Sequence, residues 1–166
     1  MGREEREASL RTLTRGVGSV TNSGPMDLET TLILFKPDAV TKNLTGQVLA
    51  RFEAAGLKIR GIKMMKLGDA VLKEHYAHIA DKPFFPSVQG FMQQSPVVAL
   101  ALEGENAVAR VRDLLGPTDS KAAAKGTIRG DLGVDKMTNV CHASDSTEAA
   151  AAEVKRFFKA DEIFTF

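Results

Sequence analysis

The chain has 166 residues, 43% of them hydrophobic and 26% charged, with a formal net charge of +1. That length suits one domain with a proper core, and the near-neutral charge excludes a bulk electrostatic grip on nucleic acid or on an anionic membrane. Cys141 is the only cysteine, which excludes an intrachain disulfide and a multi-cysteine zinc site.

Residues 1–25 show no sustained periodicity, lack the apolar core of a secretory signal and end in the breaker cluster Asn22-Ser23-Gly24-Pro25. They are expected to form a disordered extension, with the ordered domain over 26–166. No apolar run reaches the roughly 18 residues a membrane span needs, so a cytoplasmic location without membrane partners is the expectation. Leu32 to Phe35 reads as a buried strand ended by Lys36-Pro37. Thr45 can cap a helix carrying Val48, Leu49 and Phe52, which Gly56 stops. Leu57 and Ile59 then alternate with Lys58 and Arg60, and at Gly61 the apolar phase passes to Ile62 and Met64, the mark of a bulge.

Asp69 is expected to cap a helix on which Leu72, Tyr76 and Ile79 share a face, ended by Asp81-Lys82-Pro83. A further helix can follow over 84–94, then an apolar strand over 96–102 and a helix carrying Val108, Val111 and Leu115. A long glycine- and lysine-bearing connection runs from Gly116 to about Lys136. A strand around Val140 and a helix over 146–158, capped by Asp145 or Ser146, finish the domain. The order β-α-β, helices, β-α-β implies a ferredoxin-like α+β sandwich, one four-stranded antiparallel sheet with helices packed around it.

Candidate chemistry is scattered along this frame. Lys36 ends a strand, Arg112 borders the apolar stripe of a helix, and Arg129 lies between Gly126 and Gly130. Several fixed cations aimed at one point make a phosphate cradle, although spacing alone leaves their convergence open. No P-loop sequence is present and no G-x-G-x-x-G follows a strand. His75 and His78 stand one helical turn apart without an evident third zinc ligand. His142, in Thr138-Asn139-Val140-Cys141-His142-Ala143-Ser144-Asp145-Ser146, could serve packing, a metal or nucleophilic attack on phosphorus. Read without further context, Tyr76 and the pair Phe84 and Phe85 could be core, Ser144 a cap, and Glu153 a solvated carboxylate.

The stretch Asn139-Val140-Cys141-His142-Ala143-Ser144-Asp145-Ser146 resembles the N-x-x-H-[GA]-S-D-S active-site signature of nucleoside diphosphate kinases. Further blocks in the same order extend the likeness: Lys36-Pro37-Asp38-Ala39-Val40, His75-Tyr76, Asp81-Lys82-Pro83-Phe84-Phe85, Ser95-Pro96-Val97-Val98, and Gly126 to Asp131. The resemblance implies a ping-pong exchange in which His142 takes the γ-phosphate of a nucleoside triphosphate and passes it to a diphosphate. It implies that Lys36, Tyr76, Arg112, Thr118, Arg129 and Asn139 hold phosphates and ribose. Phe84 and Val88 would cover the base, giving broad nucleotide specificity, and Mg²⁺ would arrive on the nucleotide with no metal ligand from the protein.

It also implies that Glu153 orients His142, with Ser144 nearby, and that the chain forms a homo-oligomer, hexamer favoured over tetramer. Departures from the family pattern are Ala143 where glycine is commoner, which would be strained at positive φ, and Ser120 and Lys125 in place of prolines in the long connection. Two rival readings are a catalytically inactive ferredoxin-like regulatory or binding module and an RNA-binding domain of similar topology. The second lacks the aromatic-rich strand motif, so no specific nucleic acid partner is expected.

Overall fold

The computed structural model describes residues 27–166, and the extension expected over residues 1–25 lies outside the described residues. Four strands, β1 (Leu28–Phe35), β2 (Lys58–Met65), β3 (Val97–Glu105) and β4 (Cys141–Ala143), form one sheet of order β2-β3-β1-β4. Every pairing in it is antiparallel. The described residues also contain helices α1 (Pro37–Thr41), α2 (Thr45–Ala54), α3 (Asp69–His75), α4 (Phe85–Met92), α5 (Ala107–Leu115), α6 (Ile128–Leu132) and α7 (Thr147–Phe157). This is the expected ferredoxin-like α+β arrangement.

The unbroken apolar run of β1 has a direct cause: helices cover both faces of the sheet, so both sets of alternating side chains are buried. Ile33 and Phe35 pack with Val48 and Phe52 of α2 and with Val111 and Leu115 of α5. Leu32 and Leu34 pack with Leu72 of α3, Phe85 and Met92 of α4, and Phe157 of α7. The expected irregularity in β2 is a register shift between Ile59 and Gly61 against β3. Glycine fits there because a Cβ would stand 2.8 Å from the carbonyl oxygen of Glu162, where the C-terminal segment crosses.

Several local expectations are corrected. Pro37 opens α1 rather than merely ending β1, because its fixed φ suits a first helical residue. The connection after Gly116 contains α6, whose cap is Thr127; the hydroxyl accepts from the Gly130 amide at 3.1 Å. Arg129 is therefore a helix residue. Helix α3 stops at His75, so Tyr76 is its C-cap and does not share a helical face with Ile79. Asp69 sits in the first turn of α3 and accepts from Gln89 and Gln93 instead of capping. Leu44, without a side-chain cap bond, precedes α2, and Ser146 rather than Asp145 caps α7 by accepting from Ala149 at 3.0 Å.

Candidate active site

The short strand β4 sets the direction of the histidine. His142 pairs with Leu34, and paired residues share a face. It therefore points to the side covered by α3, α4 and α7, while Cys141 and Ala143 alternate into the other core. The residue under strain is Val140, at φ 75, not Ala143; a β-branched side chain avoids that region. Two hydrogen bonds hold Val140 there. Its amide donates to Asp38 at 3.0 Å, and its carbonyl accepts from the Lys36 amide at 2.9 Å. The start of α1 is thus tied to the entry of β4, which brings Lys36 to the histidine's neighbourhood.

Lys36 Nζ donates to Asn139 Oδ1 at 2.9 Å and to the Met137 carbonyl. Burial lowers its pKa from 10.5 to about 8, against the pull of the Asp38 carboxylate and with the push of Arg129. Arg129 donates to the carbonyls of Gly116, Asn139 and Cys141. Those bonds take three of a guanidinium's five donors and leave two for a ligand. Asn139 joins the two sides of the long connection, since its amide donates to the carbonyls of Thr118 at 2.9 Å and Lys136 at 3.0 Å.

Glu153 projects from α7. Its Oε2 lies 3.1 Å from His142 Nε2 and accepts from the Ser144 hydroxyl at 2.6 Å. Burial alone would raise this carboxyl. The hydrogen bond and charge of His142, followed by the Ser144 hydroxyl, hold it below the ordinary value. Ser144 is fully buried and also meets the Leu32 amide at 3.3 Å, so it positions Glu153 and caps nothing. With Nε2 carrying the hydrogen toward Glu153, Nδ1 of His142 keeps its lone pair.

These groups surround a cavity of about 770 Å³, and every residue expected at the site lines it except Ser144, which acts through Glu153. Tyr76 belongs to this lining and also packs against the core, and burial, then the Glu153 charge, push its phenol up to about 12. Phe84 is 54% exposed at the cavity, whereas Phe85 is core. Sequence reasoning missed Asp38, Lys136 and the part played by His75. His75 does not pair with His78; its ring stands edge-to-face with that of His142, centroids 4.5 Å apart. The signal for Asp38 was its position next to Lys36-Pro37, but nothing in spacing showed that it would hold the Val140 turn.

Buried cations, a shaped cavity and an oriented imidazole suit the binding and transfer of a phosphoryl group. A profile described as nucleoside diphosphate kinase matches residues 29–163. The chain belongs to the nucleoside diphosphate kinase family. Among nucleoside diphosphate kinases it is 47% identical to that of Parabacteroides distasonis over 139 residues, covering 84% of this chain and 91% of that one. It is 44% identical to the Saccharomyces cerevisiae enzyme, covering 81% and 88% of the two chains. The solved structure of the Aquifex aeolicus nucleoside diphosphate kinase superposes with a TM-score of 0.80 at 42% identity, covering 83% of this chain and all of that one. The halophilic nucleoside diphosphate kinase of Halobacterium salinarum, solved in complex with CDP, gives a TM-score of 0.82 at 41% identity, covering 84% and 93%.

Proposed function

We propose that this nucleoside diphosphate kinase works through Nδ1 of His142. The attacking lone pair forms a P–N bond as the bond from the γ-phosphorus to the bridging oxygen breaks, releasing a nucleoside diphosphate. A second diphosphate then attacks the phosphohistidine and leaves as a triphosphate. The observation that carries this reading is the 3.1 Å contact between His142 Nε2 and Glu153, beside cations that line the same cavity. It fixes ring and tautomer before substrate arrives, the kind of preorganisation that lowers a barrier without strengthening ground-state binding.

Lys36, Arg112 and Arg129 would meet phosphate oxygens, with Thr118, Asn139 and Tyr76 toward phosphates and ribose. Phe84 and Val88 offer the base apolar contact alone, which reads bases weakly and suits broad specificity. Mg²⁺ prefers oxygen ligands. The one described metal-spaced trio, His75, His142 and Glu153, carries two imidazoles, and among the described residues Asp145 and Glu153 are the only carboxylates lining the cavity. This donor set fits Mg²⁺ carried on nucleotide phosphates, where it would neutralise charge. The reading includes a homo-oligomer, with the exposed Ile62 and Met64 of the edge strand β2 as its support, and a cytoplasmic setting. No described helix is long and apolar enough to cross a membrane.

Incubation with γ-labelled nucleoside triphosphate alone should leave acid-labile phosphate on the wild-type protein and none on His142→Ala. Unlabelled wild-type protein would favour the inactive-module reading, and a variant labelled at the wild-type level would sink the assignment of His142.

A further inference from the structure

Glu153 has two imidazoles beside it, not one. His142 Nε2 lies 3.1 Å from Oε2, and His75 Nδ1 lies 4.0 Å from Oε1. A carboxylate accepts only from a nitrogen that carries hydrogen, so the tautomer of His75 decides whether it competes for Glu153. Arg156 settles that tautomer. Its Nη1 stands 3.2 Å from His75 Nδ1, and a guanidinium can only donate, so that nitrogen must present its lone pair. Arg156 is itself aimed by Glu74, whose Oε1 accepts from Nε at 2.9 Å.

We propose that Arg156 is a positioning residue: by occupying Nδ1 of His75 it keeps that ring from donating to Glu153 and reserves the carboxylate for His142. The proposal rests on His142 as the phosphate acceptor. His75 is enclosed, with 1% of its side chain accessible, and its Nε2 has no hydrogen-bond partner among the described residues. With the hydrogen on Nε2 that N–H goes unmet, a cost that the Arg156 contact at Nδ1 has to outweigh. Burial, then the neighbouring charge of His142, lower the His75 pKa to about 3, with Glu153 opposing and Arg156 and His78 assisting. Near neutral pH the ring therefore carries one hydrogen, and its location has two alternatives. The same geometry argues against a metal at His75, His142 and Glu153, since the lone pair of Nδ1 is already taken by a cation.

Without Arg156 the His75 hydrogen is free to move to Nδ1 and donate to Glu153. Closing the 4.0 Å gap to Oε1 draws the carboxylate toward His75, which pulls Oε2 away from His142 Nε2 and weakens the contact that keeps the His142 hydrogen off Nδ1. Arg156→Leu should slow single-turnover phosphorylation by about three- to tenfold with nucleotide KM nearly unchanged, because an orientation is lost rather than a phosphate contact. In ¹⁵N spectra near pH 7.5, wild-type His75 should show hydrogen on Nε2, and Arg156→Leu should move it to Nδ1. In a His75→Phe background, which cannot compete for Glu153, adding Arg156→Leu should cause no further loss.

A wild-type His75 bearing hydrogen on Nδ1 would overturn the proposal, as would an equal effect of Arg156→Leu with and without His75. The spectra need no turnover. Failure to trap phosphohistidine would therefore strike the acceptor assignment, and a wrong tautomer would strike Arg156.

Discussion

Lys36 shows how a single buried cation couples binding to pH. The folded protein lowers its pKa from 10.5 to about 8, chiefly by burial. A depressed lysine is penalised when charged, so its cost to folding is full below about pH 8 and disappears as pH rises toward 10.5. A nucleotide phosphate beside Nζ reverses the balance by favouring the ammonium. Above about pH 8 binding must therefore take up a proton, and affinity for a nucleoside diphosphate should fall by up to about tenfold per pH unit. Titrations between pH 7 and 9.5, repeated in buffers of different ionisation enthalpy, measure both the slope and the proton uptake. A flat affinity through pH 9.5 would remove Lys36 from the phosphate site. The lysine itself was legible in sequence, as the cation after the first strand. Its altered pKa was not, because that depends on Met137 and Asn139 arriving from across the domain.

At the scale of elements, periodicity found what the core dictates and missed what local hydrogen bonds dictate. β1, α2 and α5 bury continuous or helix-spaced apolar side chains, so they were readable. Helices α1 and α6 have only five residues each and are set by Pro37 and by the Thr127 cap, signals that a hydrophobic pattern does not carry. Local hydrogen bonds also hold the long connection. Though it lacks the usual prolines at Ser120 and Lys125, Asp131 ties it to Arg51 at 2.8 Å and accepts from the Gly126 amide at 2.9 Å. Asp135 accepts from both Met137 and Thr138.

Ser120 is the weak point of that connection, for its hydroxyl is buried with no hydrogen-bond partner among the described residues. A buried hydroxyl without a bond costs about 1–3 kcal/mol, and removing it spares that cost at the price of a small void. Ser120→Ala should thus leave the melting temperature unchanged or raise it by up to about 4 °C. Gly133→Ala should lower it, since a Cβ there would stand 2.0 Å from Ser120 Oγ. Thermal melts of the two variants test the packing, and a fall for Ser120→Ala would mean that the hydroxyl has a partner after all.

For the whole molecule, the asymmetry between the two edges of the sheet matters most. β4 has only three residues and ends at the site, whereas β2 has eight and forms the opposite edge. A long apolar edge invites pairing with another chain unless it is covered. The C-terminal segment covers it only in part: the Phe164 amide donates to the Arg60 carbonyl at 2.8 Å, and Arg60 pairs with Glu103. Farther along, Ile62 and Met64 stay 49% and 63% exposed, with Phe164 and Phe166 also open. Ile62 pairs with Leu100 and Met64 with Val98, so both lie on the face that α2 and α5 cover elsewhere, where apolar side chains are otherwise buried. A second copy placed along β2 would bury them, and the expected homo-oligomer supplies one. Replacing both Ile62 and Met64 with Lys puts like charges on the edge. Light scattering at micromolar concentration should then show the wild-type mass fall to that of a smaller assembly, while the circular dichroism of the domain persists. A monomeric wild-type protein would refute the oligomer. A double variant of unchanged mass would move the interface away from β2.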